Sequence, residues 1–232
     1  MNYRVLEWDS RFFGVRVAQL MVTDTSDCGG LEECLEGSDA DVVYVSVAPA
    51  AAELCRPLLA GLPGGLFDRK VTYAKEVDPA FAAPDPFCVR ATGVSEELLQ
   101  LAYASGHLSR FFLDPRFRPW FRPLYAEWVR KELREADSRV FTLSDDHPML
   151  GMVTASVKDG IGRIGLLAIA EGSQGRGLGM RLVRHCEAHY ASQSARRCEV
   201  VTQKANVAAC RLYAKAGYTI ASEQDIWHIW KG

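Results

Sequence analysis

The sequence predicts a mixed α/β protein of two parts, and three observations support this prediction. Strand-like and helix-like patterns alternate along the 232 residues. The composition, 48% hydrophobic and 24% charged, is that of a globular protein able to bury a sizeable core. The segment "DPAFAAPDPF", residues 78–87, carries three prolines and favours an extended connector. We therefore expect a small N-terminal α/β domain over residues 1–80 and a second mixed α/β domain over residues 87–232.

Three short strands and two helices are expected in the N-terminal domain. The strands are residues 15–22, 41–48 and 70–77, where β-branched and aromatic side chains are frequent. The apolar patterns at residues 28–35 and 50–60 indicate short helices between them. These residues contain no recognisable catalytic cluster, so we expect the domain to have a structural or substrate-shaping role.

The second domain is expected to begin with two helices and a pair of antiparallel strands. A buried strand follows, apolar on both faces at its end, and then a helix, a strand, a helix and a closing strand. Ligand chemistry is expected at strand ends in such a domain. In chain order the stretches are "SEELLQLAYASG", "WFRPLYAEWVRKELREA", "SRVFTLSD", "HPMLGMVTASVKDG", "IGRIGLLAIA", the helix with Leu178, Leu182, Cys186 and Tyr190 on one stripe, "RRCEVVTQ", the helix capped by Asn206, and "YTIASEQDIWHIW".

Charge and composition argue against several classes of function. A net charge of -2 lacks the basic footprint of a nucleic-acid-binding protein. No apolar stretch reaches membrane-spanning length, and the N-terminus lacks a signal-peptide pattern, so we expect a cytoplasmic protein that does not associate with membranes. Seven cysteines without a CxxC pair favour reduced, mostly buried thiols over disulfides or a zinc site. Whether the chain forms a homodimer stays open.

The stretch "EGSQGRGLGMRLV", residues 171–183, packs four glycines into eight residues before an apolar helix pattern. A Walker A loop would need Lys followed by Ser or Thr after its glycines, and these residues are missing. A dinucleotide fingerprint would need GxGxxG spacing early in a βαβ unit, whereas Gly175, Gly177 and Gly179 have GxGxG spacing late in the chain. A plain tight turn between a strand and a helix is the alternative to a phosphate site.

The hexapeptide Gln174–Gly179 resembles the signature turn of the GNAT acetyltransferases. The resemblance implies a GNAT fold, with acetyl-CoA as the acetyl donor and no metal. In such a turn glycines allow close approach of the pyrophosphate, and amide groups and the helix dipole face it. Arg176 would add positive charge at the rim. The donor-binding residues implied by the resemblance are Leu167, Ala168, Ile169, Gln174, Gly175, Arg176, Gly177, Leu178, Gly179, Met180, Asn206 and Ala209.

The resemblance also assigns a role to the strand before the turn. In GNAT enzymes this strand diverges from the next one, and the pantetheine arm of CoA completes the sheet there. Leu167 and Ile169 would offer the unpaired backbone groups. The amide of Ile169 would also be a candidate donor to the oxyanion of the tetrahedral intermediate.

A second block, "NVAACRLYAKAGY", resembles the GNAT pattern N-x-x-A-x-x-x-Y-x-x-x-G-F/Y. Asn206 and Tyr213 are seven residues apart, about two helical turns, and therefore share a face. By resemblance, Asn206 would bind the pantetheine region and Tyr213 would protonate the leaving thiolate. The implied mechanism is direct attack of a neutral amine on the acetyl carbonyl.

The general base stays open among Glu171, Glu199, His147 and a water chain. A covalent acetyl-cysteine route has no supporting His or Asp arrangement near Cys198 or Cys210. The pair formed by the two histidines of "HCEAH" has metal-ligand spacing but no third ligand, so we interpret it as a solvated helix face.

Three stretches suggest an acceptor. "TQKANVAA", "LEWDSRFFG" and "SRFFLDPRF" resemble the TDP-fucosamine acetyltransferases, GNAT enzymes of enterobacterial common antigen synthesis. These enzymes also place a small N-terminal α/β domain, itself similar to a truncated GNAT unit, before the GNAT domain. The resemblance implies a nucleotide-linked, TDP-type amino sugar as the acceptor and a role in cell-surface polysaccharide biosynthesis.

The stretch "SRFFLDPRF" has suitable chemistry for such an acceptor. Arg110 and Arg116 suit a diphosphate, Phe111 and Phe112 could stack on a base or sugar, and Asp114 could bind hydroxyls. The alternative is an ordinary helix-connecting loop. The expected acceptor-binding residues are Arg110, Phe111, Asp114 and Gln203.

Two other functions stay open. The first is a GNAT enzyme that acetylates a protein, a peptide or another small-molecule amine, and for a peptide N-terminus or a lysine it would tend to show an acidic acceptor groove. A non-catalytic acyl-CoA sensor would bind the donor without turnover, and Tyr213 argues against it.

Overall fold

The computed structural model describes residues 1–80, 83–144 and 149–231, which form two compact units. Unit 1 comprises Met1–Val71, Gln203–Ala205 and the C-terminal segment that starts at Ser222. Unit 2 comprises Thr72–Thr202 and Asn206–Ala221. The division into domains at residues 1–80 and 87–232 stays a prediction about independently folding parts.

Ten strands and eight α-helices alternate in the described part of the chain, which confirms the predicted mixed α/β class. Two 3₁₀ helices, Thr25–Gly30 and Arg118–Trp120, add to these. In chain order the elements are β1 Asn2–Val5, α1 Glu7–Phe13, β2 Val17–Val22, α2 Leu31–Gly37, β3 Val42–Val47, α3 Pro49–Ala60, β4 Gly64–Glu76, β5 Cys88–Arg90, α4 Glu96–Ser105, α5 Arg110–Leu113, α6 Phe121–Arg134, β6 Ser138–Ser144, β7 Met149–Lys158, β8 Ile161–Ile169, α7 Leu178–Ser192, β9 Arg197–Gln203, α8 Val207–Lys215 and β10 Thr219–Trp230.

Unit 1 is a sheet of mixed direction with strand order β1-β2-β3-β10-β4. Strands β2 and β3 are parallel, and β3 pairs antiparallel with β10. Every residue of β3 is buried, as expected for a central strand in an α/β unit. The core of unit 1 forms from apolar side chains of β2, β3, α2 and α3, with Trp227 and Ile229 of β10.

Two elements of unit 1 were not predicted from the sequence. The four residues of β1 are too few for a visible alternation. Helix α1 has acidic residues in its first turn and ends at Gly14, whose φ of 70° is the left-handed conformation of a helix C-terminus. These end signals were present in the sequence, but the seven-residue helix is short for a periodic pattern.

Unit 2 has strand order β10-β4-β9-β8-β7-β6-β5, with β8 and β9 parallel and β5 to β8 antiparallel. Helices cover both faces. A Cβ at Gly151 would lie 3.2 Å from Leu182 of α7, whereas a Cβ at Gly165 would lie 3.7 Å from Trp128 of α6. The predicted apolar stripe of α7 is confirmed, since Leu178, Leu182, Cys186 and Tyr190 are all buried. In the described part of the chain, no helix has the length and apolar character that a membrane span needs.

Candidate functional site

A β-bulge shapes the middle of β8. Val153 pairs with Leu167 but Ala155 pairs with Ile164, so β8 carries one extra residue between them. The Leu166 amide, displaced from the ladder, donates to Thr154 Oγ1 at 2.9 Å. A Cβ at Gly165 would lie 2.6 Å from the same oxygen, so only glycine fits there. Thr154 and Gly165 together fix the point where β8 bends.

Pairing between β8 and β9 stops just before this bulge. The last paired residues are Ile164 and Val200, although both strands continue, β8 to Ile169 and β9 to Gln203. On its other edge β8 stays paired with β7 as far as Ile169. The two parallel strands therefore leave an open wedge along the last residues of β8. We call this feature the strand wedge.

The ladder with β7 decides which backbone groups face the strand wedge. Hydrogen-bonded pairs alternate in an antiparallel ladder. The Ala170 amide donates to Leu150 O at 2.9 Å, so Ala168 is the next residue bonded to β7. The N–H and C=O groups of Leu167 and Ile169 consequently point towards the wedge, whereas those of Ala168 point towards β7.

The glycine turn follows directly after β8. Gly175 and Gly177 have φ values of 76° and 78°, a conformation that side chains rarely adopt, and nothing lies within 4 Å of a Cβ at either position. The backbone conformation therefore requires glycine at both positions, and the space above the turn is open. Gly177 is also the N-cap of α7, where no side chain caps the helix. The first amides of α7, which lie at the positive end of the helix dipole, therefore face this open space.

Gly179 joins the turn to the two neighbouring elements. A Cβ at Gly179 would lie 3.2 Å from Leu212 of α8 and 4.0 Å from Ile169 of β8. Gln174 bridges the turn and the strand through a long hydrogen bond of 3.5 Å from its Nε2 to Ile169 O. Arg176 is exposed at the rim. The structure therefore brings together the end of β8, the turn and α8.

Asn206 is the N-cap of α8, as predicted. Its side-chain oxygen accepts a hydrogen bond of 3.1 Å from the amide of Ala209. This bond satisfies one of the free amides of the first turn. Asn206 therefore has a structural role, and its side-chain NH2 group is the part available for a ligand.

Tyr213 lies on the buried side of α8, with 4% of its surface exposed. Its ring is 6.0 Å from the rings of Tyr73 and of Tyr218. Burial raises the pKa of Tyr213 well above the ordinary tyrosine value. The hydroxyl is therefore protonated at neutral pH, as a general acid must be before it reacts.

The structure describes two of the three candidate general bases. Glu199 is engaged with arginines, at 3.1 Å from Arg197 and 3.5 Å from Arg163, in the part of β9 that is paired with β8. Glu171 is exposed in the loop between β8 and α7. His147 lies outside the described residues.

The predicted acceptor segment forms α5 and the turn after it. Phe111 packs edge-on against Phe117 and carries the Arg110 guanidinium over its ring at 4.5 Å. Asp114 is 1% exposed and its Oδ1 accepts a hydrogen bond from the Arg116 amide at 2.9 Å, which is a turn-forming role. Among the described residues, the buried Ser109 hydroxyl has no hydrogen-bond partner. Gln203, the fourth predicted acceptor residue, ends β9 and belongs to unit 1.

Three site residues were not predicted: Thr154, Trp128 and Leu212. Thr154 is fully buried within an otherwise apolar stretch of β7, and a lone hydroxyl there requires a partner. A single hydroxyl residue among apolar strand residues could therefore have been recognised in the sequence. Trp128 and Leu212 are ordinary apolar helix residues whose neighbours are set by tertiary contacts.

The two histidines of "HCEAH" do not form the predicted solvated face. His185 is 6% exposed and His189 is partly buried. Both rings meet Phe141 edge-on, at 4.5 and 5.4 Å between centroids. Burial lowers the pKa of both histidines. Among the described residues, no group of three or more His, Cys, Asp or Glu side chains could hold a metal ion.

The geometry as a whole fits a long, flexible ligand with a phosphate group. The strand wedge offers an extended chain backbone groups that do not pair with β9, and the turn offers open space, amides and a helix dipole to an anion. The pantetheine arm of CoA and the pyrophosphate joined to it have this arrangement. The residues present therefore fit CoA as the ligand.

Comparison with known proteins gives the family that the sequence motifs resemble. The model of the Acetyltransferase (GNAT) family matches residues 102–218, which is half of the chain. The spore coat polysaccharide biosynthesis protein SpsD of Bacillus subtilis is 22% identical over 246 aligned positions, which cover 97% of this chain and 81% of SpsD.

Two solved structures have a similar fold. A GCN5-related N-acetyltransferase from Sphaerobacter thermophilus has a TM-score of 0.60 at 15% identity, covering 98% of this chain and 76% of that one. A conserved protein of unknown function from Staphylococcus epidermidis has a TM-score of 0.65 at 13% identity, covering 94% of this chain and 85% of that one.

Proposed function

Because the chain belongs to the GNAT acetyltransferase family, we propose that it transfers the acetyl group of acetyl-CoA to the amine of a nucleotide-linked amino sugar. The strand wedge beside the glycine turn is the observation that supports the donor half of this proposal, the use of acetyl-CoA. The resemblance of "LEWDSRFFG" and "SRFFLDPRF" to the TDP-fucosamine acetyltransferases supports the acceptor half. So does the similarity to SpsD, whose name places that protein in polysaccharide synthesis.

Acetyl-CoA supplies the acetyl thioester. The backbone groups of Leu167 and Ile169 would hold the pantetheine arm as an additional strand along β8, as the ladder geometry allows. The amides at the start of α7 would hold the pyrophosphate, with Arg176 adding charge at the rim. The NH2 group of Asn206 would contact the pantetheine amides.

The acetyl carbonyl would then lie beside the amide of Ile169, which would stabilise the developing oxyanion. The acceptor amine would attack this carbonyl, so that a C–N bond forms, the C–S bond breaks and the amine releases one proton to solvent. Tyr213 would give its proton to the leaving thiolate. The buried and protonated state of its hydroxyl suits this role.

Arg110 and Arg116 are the residues that we assign to the diphosphate of the acceptor. Both carry the planar donor group that favours bidentate phosphate contact. Phe111 positions Arg110, whose guanidinium lies 4.5 Å from the centre of its ring. We place Asp114 beside them as the residue that fixes the turn, because its Oδ1 holds the Arg116 amide.

The test is an acceptor panel with acetyl-CoA as the donor. The panel contains TDP-linked amino sugars, other nucleotide amino sugars, peptides with a free N-terminus or lysine, and polyamines, and the release of CoA thiol is followed. We expect turnover with a nucleotide amino sugar. Turnover with peptides or polyamines alone would replace the proposed acceptor, and donor binding without turnover of any acceptor would indicate an acyl-CoA sensor.

A further inference from the structure

Two cysteine side chains of unit 1 are in contact although they are 27 positions apart in the sequence. The Sγ atoms of Cys28 and Cys55 lie 2.8 Å from each other. Cys28 belongs to the 3₁₀ helix Thr25–Gly30, and Cys55 belongs to α3. Both are free thiols, as are the other five cysteines.

The surroundings hold the pair in position. Cys55 is 2% exposed and is part of the core of unit 1, and Cys28 packs against that core with part of its surface in solvent. A disulfide has an S–S length of about 2.05 Å. The two sulfurs of Cys28 and Cys55 are already in direct contact, which is what the formation of this bond requires.

We propose that Cys28 and Cys55 form a reversible intramolecular disulfide when the folded protein meets a small-molecule disulfide such as oxidised glutathione. The Cys28 thiolate attacks one sulfur of the reagent, which forms a mixed disulfide and releases one glutathione thiolate. Cys55 gives its proton to solvent, its sulfur attacks Cys28 Sγ, and the second glutathione leaves. The two protein thiols lose two electrons, and the reagent gains them as two thiols.

Exposure sets the order of the two steps. The reagent can reach Cys28, whereas Cys55 is enclosed by the core. Burial, together with the neighbouring Cys28, raises the pKa of Cys55 to about 12, so Cys55 is a poor first nucleophile at neutral pH. It becomes effective only once the mixed disulfide is beside it. The proposal goes beyond acetyl transfer, because neither cysteine is assigned to donor or acceptor binding.

The experiment treats the folded protein with oxidised glutathione, alkylates the remaining thiols in denaturant and digests the protein with a protease that cleaves after glutamate. Glu33 lies between Cys28 and Cys34, and Glu53 lies between Cys34 and Cys55, so the digest separates all three. We expect a linked peptide pair containing Cys28 and Cys55, and two of the seven free thiols lost. Dithiothreitol should restore them. The midpoint of thermal unfolding should rise by about 5 °C on oxidation, since the new bond closes a loop.

Three variants make the result specific. Cys55→Ser should stop at a glutathione adduct on Cys28, and Cys28→Ser should give neither the adduct nor the linked pair. Cys34→Ser, which alters a cysteine packed on the same core, should form the link as the wild type does. Circular dichroism establishes that each variant is folded. Wild-type protein in which Cys28 stays glutathionylated, or in which both cysteines stay alkylatable, would overturn the proposal.

Discussion

At the residue scale, Tyr213 is the side chain to which we assign the proton transfer. Its position two turns after Asn206 was readable from the sequence, because helix geometry fixes which residues share a face. Its burial and the contacts of its ring with Tyr73 and Tyr218 were not readable, because residues distant in the chain create them. Burial of the hydroxyl is what raises the pKa of Tyr213.

We expect Tyr213→Phe to lower kcat by about 100-fold, the lower range for loss of a general acid. The Kd for acetyl-CoA should change by less than about 2-fold, because the ring and its packing are kept. Steady-state kinetics and calorimetric titration measure the two quantities. Tyr218→Phe is the control, since Tyr218 is also a buried tyrosine whose ring lies 6.0 Å from that of Tyr213. A near-normal kcat in Tyr213→Phe would remove Tyr213 as the acid.

The raised pKa of Tyr213 also predicts a pH profile. The acid works only while protonated, so its ionisation should not reduce kcat below about pH 10, where an ordinary tyrosine ionises. The folded state holds this proton more tightly than the unfolded state, so folding stability falls as pH rises above that value. Circular dichroism at each pH separates unfolding from loss of activity. A decline of kcat near neutral pH that disappears in Tyr213→Phe would contradict the assignment.

At the scale of elements, the turn and the strand wedge differ in how far the sequence reveals them. The glycine turn is local, and its spacing was enough to predict a phosphate-binding conformation. The strand wedge depends on which strands pair and where pairing stops. Thr154 and Gly165 on adjacent strands set that point together, and neither residue shows it alone.

We expect Gly177→Ala to weaken acetyl-CoA binding by about 10-fold or more, because the new Cβ enters the open space of the turn and strains a backbone with φ of 78°. Gly172→Ala is the matched control. Gly172 has φ of 80° and equally open surroundings but lies outside the GxGxG core of the turn. Both variants should lose similar stability in thermal unfolding. Equal loss of donor affinity in both would show that strain alone, and not ligand contact, explains the effect.

We expect Thr154→Val to destabilise the fold by about 1–3 kcal/mol, because the Leu166 amide loses its acceptor in a buried position. Donor affinity should fall as well, since the bulge directs the end of β8. Thr142→Val is the comparison, as Thr142 is buried on β6 but donates only a long hydrogen bond of 3.4 Å. Denaturant unfolding measures the difference. A Thr154→Val protein with wild-type stability would mean that the bulge does not depend on this hydroxyl.

At the scale of the whole molecule, the sequence predicted the mixed α/β class, and the strands and helices of the described residues confirm it. The residues from Ser222 onward group with the N-terminal residues in unit 1, and the boundary between independently folding domains stays a prediction. Strand β10 consequently contributes residues to both units. A strand pattern indicates that a strand exists, but the choice of its partners depends on packing across the whole chain.

One comparison tests directly whether the acceptor is linked to a nucleotide. The kcat/KM for a TDP-linked amino sugar is measured against the value for the same amino sugar without its nucleotide, at saturating acetyl-CoA. If Arg110 and Arg116 bind the diphosphate, kcat/KM should be at least about 100-fold higher for the linked sugar, as expected for two charge-assisted contacts. Equal kcat/KM values for the two sugars would contradict a nucleotide-linked acceptor.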